Sequence, residues 1–229
     1  MSIELLEEML KLQQELNDAT NGVDWEKGIT KNGKRIDWRR CIYLEAAELI
    51  ESYPWKHWKN IDASPDYANI KIEIVDIWHF IMSETLRVYK IEGRGSIEDI
   101  AQNISQMSGF ENLLSNESSQ QNDIYEEIAL VEEMMQLLFC KKEDIDALVV
   151  SFLHMSSELN LKLPELYSLY IGKNILNKFR QEHGYKDGSY IKVWNGEEDN
   201  VVMQHILESQ NNITATLLYE ALEEAYPKG

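Results

Sequence analysis

The chain has 229 residues, 44% of them hydrophobic, and a formal charge of −18 from 22 basic and 40 acidic side chains. That balance excludes a general nucleic-acid binder, whose affinity rests on many Lys and Arg set against phosphates, but it allows a small anion in a local basic pocket. With only 4 prolines and 11 glycines, long helices are favoured over the turn-rich pattern of a sandwich or barrel.

From Ser2 to about Asn17, apolar residues at Leu5, Leu6, Met9, Leu12 and Leu16 keep a helical period. A stop signal, Asn17 to Gly22, follows. Residues 23–36 carry Lys27, Lys31, Lys34 and Arg35 with Gly28 and Gly33, and read as a basic loop or short hairpin. Asp37 is the expected N-cap of a helix through Glu51 that closes before Pro54. Residues 55–60 form an aromatic and basic connector, and Pro65 and Asp66 open a helix to about Tyr89. Residues 92–123, with Gly93, Gly95 and the polar stretch 115–123, predict one shorter helix between loops, the best place for a variable insertion. Helical pattern resumes over 124–140 and 143–159, again from Pro164 to about Arg180, and last over roughly 199–224, where Asn211 and Asn212 favour a break. Residues 183–200, with Gly184, Gly188 and Gly196 among aromatic and basic residues, read as a structured loop. The expectation is an all-α fold in one compact domain, 1–229, with 92–160 as a divergent helical insertion.

Cys41 and Cys140 have neither metal-ligand nor disulfide-framework spacing and read as reduced core thiols of a cytosolic protein. The acidic amphipathic start lacks the features of a signal peptide. No apolar run approaches the ~20 residues that span a bilayer. A soluble, cytoplasmic protein without membrane or nucleic-acid partners is expected.

Two helical stretches each place a pair of acids three residues apart within apolar sequence. The first contains Glu45 and Glu48 (Ile-Tyr-Leu-Glu-Ala-Ala-Glu-Leu-Ile), the second Glu73 and Asp76 (Ile-Lys-Ile-Glu-Ile-Val-Asp-Ile-Trp). Residues i and i+3 share a helix face, so each pair points one way, into what reads as a dry interior. Buried carboxylates repel and lose hydration; protonation or cation binding relieves both. All-oxygen ligation suits Mg²⁺, and two ions would balance four acids. Two salt-bridged helices, with Arg39, Arg40 and Lys71 as partners, are the competing reading.

Between residues 171 and 194 the charge reverses locally, with Lys173, Lys178, Arg180, Lys186 and Lys192 against Glu182 and Asp187. Lys173, Asn177 and Arg180 fall on one helix face, a stripe able to hold phosphate oxygens or simply to face solvent. Gln13 and Asn17 share a face of the first helix, and their amides could read a base edge. Trp55, His57 and Trp58 offer flat faces for stacking, though tryptophans in a connector are more often core. No Gly-x-x-x-x-Gly-Lys-Ser/Thr loop, His-Asp pair or zinc-ligand spacing occurs in the chain.

The helical Glu-x-x-Glu followed by Glu-x-x-Asp resembles the all-α nucleotide pyrophosphohydrolases. Leu12-Gln13-Gln14-Glu15-Leu16-Asn17, Trp55-Lys56-His57-Trp58 and the 171–200 segment narrow the resemblance to the dimeric, all-helical dUTPases of some bacteria, phages and trypanosomatids, especially those of epsilon-proteobacteria. The resemblance covers about residues 1–90 and 160–229. It implies that Glu45, Glu48, Glu73 and Asp76 ligate two or three Mg²⁺ ions, with Glu48 orienting and deprotonating the attacking water. It implies that Gln13 and Asn17 contact the uracil and deoxyribose region, with His57 and Trp58 beside the base; His57 stands where some relatives have Trp. Asn177, Tyr185, Lys192 and Asn200 match sugar and phosphate contacts, and Lys173 and Arg180 phosphate contacts. The implied reaction converts dUTP and dUDP to dUMP in a homodimer, water attacking the β-phosphorus. A house-cleaning pyrophosphohydrolase for another or modified nucleotide, and a non-catalytic helical interaction protein, remain the alternatives.

Overall fold

The computed structural model describes residues 2–59, 63–115, 123–139, 144–209 and 213–227. Among these, ten α-helices are joined by short connections, with one 3-10 turn and one two-stranded hairpin, so the all-α expectation holds. The chain forms two compact units, Met1–Leu166 and Tyr167–Gly229, and the division falls inside a single helix. No helix of the described residues is long and apolar enough to cross a membrane.

In the first unit, α1 (Ser2–Asn21) buries Leu6, Met9, Leu10, Gln13 and Asn17. It runs four residues past the expected stop, because the Asn17 amide bonds a neighbouring helix instead of capping its own. Gly22, at φ 91°, then ends it in a left-handed conformation that a side chain disfavours. Trp25 in the 3-10 turn is fully buried, and an isolated bridge between Ile29 and Arg35 gives the basic stretch its hairpin form. Helix α2 (Trp38–Glu51) starts where expected, with the Asp37 carboxylate accepting from the Arg40 amide at 3.1 Å. Helix α3 (Tyr67–Glu92) is capped by Asp66 in the same way and closed by Gly93.

Helix α3 buries 16 of its 26 residues. A helix apolar almost all round is a central one, and here it carries the unit. Trp78 stacks on Phe152 with ring centroids 4.8 Å apart, and Trp38 of α2 stacks on Phe80 at 5.9 Å. Two short helices, α4 (Ile97–Ser105) and α5 (Phe110–Leu114), occupy the stretch expected to hold one. The Ser96–Asp99 capping box explains the firm start of α4. Helices α6 (Ile124–Leu138) and α7 (Ile145–Glu158) follow; Cys140 lies outside the described residues, and Cys41 is a free, half-buried thiol.

Helix α8 (Leu163–Glu182) leads into the second unit. There the expected loop contains a hairpin, β1 (Val193–Trp194) and β2 (Glu197–Glu198), closed by Asn195 and Gly196, both with positive φ. Asn-Gly is the residue pair such a turn demands. Helices α9 (Asp199–Ser209) and α10 (Ala215–Ala225) complete it; the expected break at Asn211 and Asn212 lies outside the described residues. An aromatic core of Phe179, Tyr190, Trp194, Tyr219 and Tyr226 holds the unit together.

Trp78 is 1% exposed, so Trp78→Ala should leave a cavity and cost about 3–5 kcal/mol. Urea denaturation followed by circular dichroism checks this; a loss well below that range would place the packing centre elsewhere.

Candidate functional site

Helices α2 and α3 lie antiparallel, as paired contacts along them require. Asn69 donates to Ser52 Oγ at 2.8 Å near one end, and Trp38 meets Phe80 nearer the other. Between these points Glu45 faces Glu73 and Asp76, and each of the three offers a carboxylate oxygen within 4.8 Å of the others. Glu73 is buried, and Glu45 and Asp76 are half-buried. Asn69 Nδ2 donates to Glu73 Oε1 at 3.2 Å, orienting that carboxylate.

Glu48 is not one of the three that converge. It is exposed and borders a neighbouring concavity of about 340 Å³, together with Glu51, Ser52, Asp66, Asn69 and Glu73. The dry interior read from the apolar neighbours is therefore corrected for Glu48. Those neighbours cover one side of α2 and leave the carboxylate-bearing edge open to solvent. Three converging oxygen donors with an acid-rich concavity beside them are the donor set a hard divalent cation prefers.

Gln13 and Asn17 come together as their spacing implied, each 3% exposed. Both amides donate to Ser83 Oγ, at 3.1 and 3.0 Å, and Gln13 Oε1 lies 2.7 Å from His79 Nδ1. A proton on that nitrogen would satisfy the contact. His79 and Ser83 were not singled out from the sequence. Their one available signal is a spacing of four on a helix otherwise apolar at those turns. His57 and Trp58 are exposed, with Trp58 at 62%, and their rings meet edge to face at 4.8 Å. Trp58 is thus not a core tryptophan.

In the second unit the structure brings Lys173, Asn177, Arg180 and Asn200 into one network. Lys173, 2% exposed, donates to Asn200 Oδ1 at 3.0 Å. Arg180 donates to the same oxygen at 3.1 Å and to Asn177 Oδ1 at 3.1 Å. The Tyr185 ring lies 5.9 Å from the Arg180 guanidinium. Lys192 pairs with Glu198 at 3.2 Å.

At the centre of this network is a residue that charge counting passed over. Asp199 is fully buried and takes two Arg180 hydrogen bonds, both 2.8 Å, and one from the Tyr190 hydroxyl at 2.7 Å. Burial pushes its carboxyl up, but Arg180 and Tyr190 more than offset that and hold it below the ordinary range. Burial, then Asp199, pushes the Tyr190 phenol up. The stripe is consequently not a bare row of cations, since its central guanidinium already has a carboxylate.

A depressed carboxyl stabilises the fold above its unfolded pKa, and that contribution is lost as pH falls through the folded value. Asp199→Asn should therefore lower stability at pH 7 by about 3–5 kcal/mol, because a buried guanidinium loses its counter-charge. It should also flatten the acid limb of the stability–pH curve, measured by urea denaturation from pH 3 to 7.

No curated protein matches the chain. The family model described as dUTPase matches residues 5–185, a span holding most of α1, the acid pairs of α2 and α3, and all of α8. The chain belongs to the all-α dUTPase family and is a dUTP diphosphatase.

Proposed function

We propose that this protein hydrolyses both dUTP and dUDP to dUMP in a Mg²⁺-dependent reaction, by attack of water on the β-phosphorus. The observation that supports this best is the convergence of Glu45, Glu73 and Asp76 oxygens from two helices within 4.8 Å. Those three acids, joined by Glu48, would hold the ions. Bound Mg²⁺ supplies positive charge opposite the phosphate oxygens and makes water a better proton donor.

Glu48, open to solvent beside Glu73, takes the proton of the attacking water. A bond forms from that water oxygen to the β-phosphorus, and the bond from the β-phosphorus to the α–β bridging oxygen breaks. The bridging oxygen leaves with dUMP, and the β- and γ-phosphates leave as pyrophosphate. Because no γ-phosphate takes part in the attack, dUDP reacts in the same way and releases phosphate.

Gln13 and Asn17 contact the uracil and deoxyribose, and His57 and Trp58 lie beside the base. Their amides are already ordered by Ser83 and His79, which reduces the entropy lost on binding. Lys173, Asn177, Arg180, Tyr185, Lys192 and Asn200 contact sugar and phosphates, with Asp199 holding the Arg180 guanidinium in place. The active form is a cytoplasmic homodimer, which sedimentation equilibrium tests directly.

Metal binding and the site of attack can each be tested. Millimolar Mg²⁺ should raise the melting temperature by binding linkage, by up to about 2.7 kcal/mol of stability at a hundredfold excess over the dissociation constant. Glu73→Gln should remove most of that gain. A wild-type melting temperature that does not move with Mg²⁺ rejects the metal site.

Hydrolysis of dUTP in ¹⁸O-labelled water should place the label in pyrophosphate and none in dUMP. Label in dUMP together with no turnover of dUDP rejects attack at the β-phosphorus. In the same assay Lys192→Ala, a change at an exposed position, should lose about 1.5–3 kcal/mol of transition-state binding. Unchanged kinetics would remove Lys192 from the phosphate contacts.

A further inference from the structure

About two helical turns C-terminal to Asp76, or about 12 Å along α3, lies a cleft of roughly 840 Å³. Its walls come from the bridged loop before α2, the first turns of α2, the later part of α3 and the end of α6. In a chain of charge −18, five cations border it: Lys27, Arg35, Arg39, Arg40 and Arg87. The acids on its walls are Asp37 and Glu84.

Among the described residues Arg40 pairs with Asp37 at 3.4 Å and Lys27 with Asp24 at 3.2 Å, both near the surface. Glu84, 3% exposed, accepts from Arg87 through both oxygens, at 2.7 and 2.8 Å. Arg39 reaches the same carboxylate only at 3.7 Å, too far for a hydrogen bond. Among the described residues Arg39 thus has no close carboxylate of its own. Arg39 is only 15% exposed, and its Nε finds no acceptor among the described residues. Its one described hydrogen bond is a long one to the Leu137 carbonyl, at 3.4 Å. The indole N–H of Trp38, on the same wall and 8% exposed, also lacks an acceptor among the described residues. A mostly buried guanidinium without a close counter-charge, and two donors without acceptors among the described residues, are costly features. An anion entering from solvent relieves both. At the rim Phe139, 66% exposed, packs on Tyr43 with centroids 5.4 Å apart and presents an open aromatic ring.

We propose that this cleft binds the phosphate chain of a di- or triphosphate, apart from the carboxylate cluster and from the residues assigned to substrate. Arg39 and Arg87 meet the phosphate oxygens through their forked donors, and the exposed Arg35 and Arg40 close over the outer ones. The chain reaches the cleft either as free pyrophosphate or as the tail of a nucleotide whose base lies on Phe139.

The test is calorimetric titration of the full chain in EDTA at low salt, so that no divalent ion bridges the phosphates to the carboxylates. Pyrophosphate and dTTP are the two probes. Wild type should bind pyrophosphate, and Arg35→Gln combined with Arg40→Gln should weaken binding at least tenfold. Both positions are exposed, so the circular dichroism spectrum should not change. Arg39→Lys, which keeps the charge and loses the fork, should weaken it severalfold, and Lys192→Ala should leave it unaltered. No binding to wild type, or equal binding to the double variant, overturns the proposal, as does loss of binding in Lys192→Ala alone. Tenfold tighter binding of dTTP that Phe139→Ala abolishes supports the cleft with a nucleotide as ligand. Equal affinity for the two probes supports it with the phosphate chain alone as the recognised group.

Discussion

Carboxylates repel, and two like charges about 5 Å apart do so by about 3 kcal/mol at an effective dielectric near 20. Bringing Glu45 against Glu73 and Asp76 therefore needs helices α2 and α3 held together by something other than those acids. Apolar packing does this. α2 buries Ile42, Ala46 and Leu49, and α3 is buried on most of its circumference; each such side chain contributes about 1.5–3 kcal/mol when fully buried. The Trp38–Phe80 stack and the Asn69–Ser52 hydrogen bond flank the acid cluster. A cation there then acts on a preformed donor set, and its binding energy need not assemble the helices.

Helix α3 carries consequences along its whole length. Its first turns hold the acids, its middle holds His79 and Ser83 beneath the α1 amides, and its later turns hold Glu84 and Arg87. Such a helix cannot easily rotate or slide, because sixteen of its residues are buried and cores tolerate little rearrangement. Polar groups of quite different use are thereby fixed along one rod. The second unit obtains the same rigidity from a different source. Buried Asp199 ties α8 to the start of α9 through Arg180, with Tyr190 as a third partner.

That two-part electrostatic design shows how far composition can mislead. Counted along the chain, residues 171–194 are basic; in space the central guanidinium is neutralised by a carboxylate from residue 199. Conversely, residues 23–36 read as a basic loop or short hairpin. The structure sets Arg39 and Arg87 about Glu84, in a cleft whose described walls carry five cations and two acids in an acidic protein. Net charge belongs to the sequence, whereas local charge belongs to the packing.

The sequence by itself determined the helical class, the caps Asp37 and Asp66, the shared face of Glu73 and Asp76 and that of Gln13 and Asn17. Each of these depends on spacing within one helix, where 3.6 residues per turn set direction. It under-read the Asn195–Gly196 hairpin, which is too short to leave a periodic pattern, and the split of the 92–123 stretch into α4 and α5. Only the tertiary structure decided that Glu45, Glu73 and Asp76 converge while Glu48 stays at the open edge. It also decided that Asp199 seats Arg180, and that Glu84 serves two arginines. These are distances between helices, set by side-chain volumes at the α2–α3 and α8–α9 contacts, and no periodicity along a single helix encodes them.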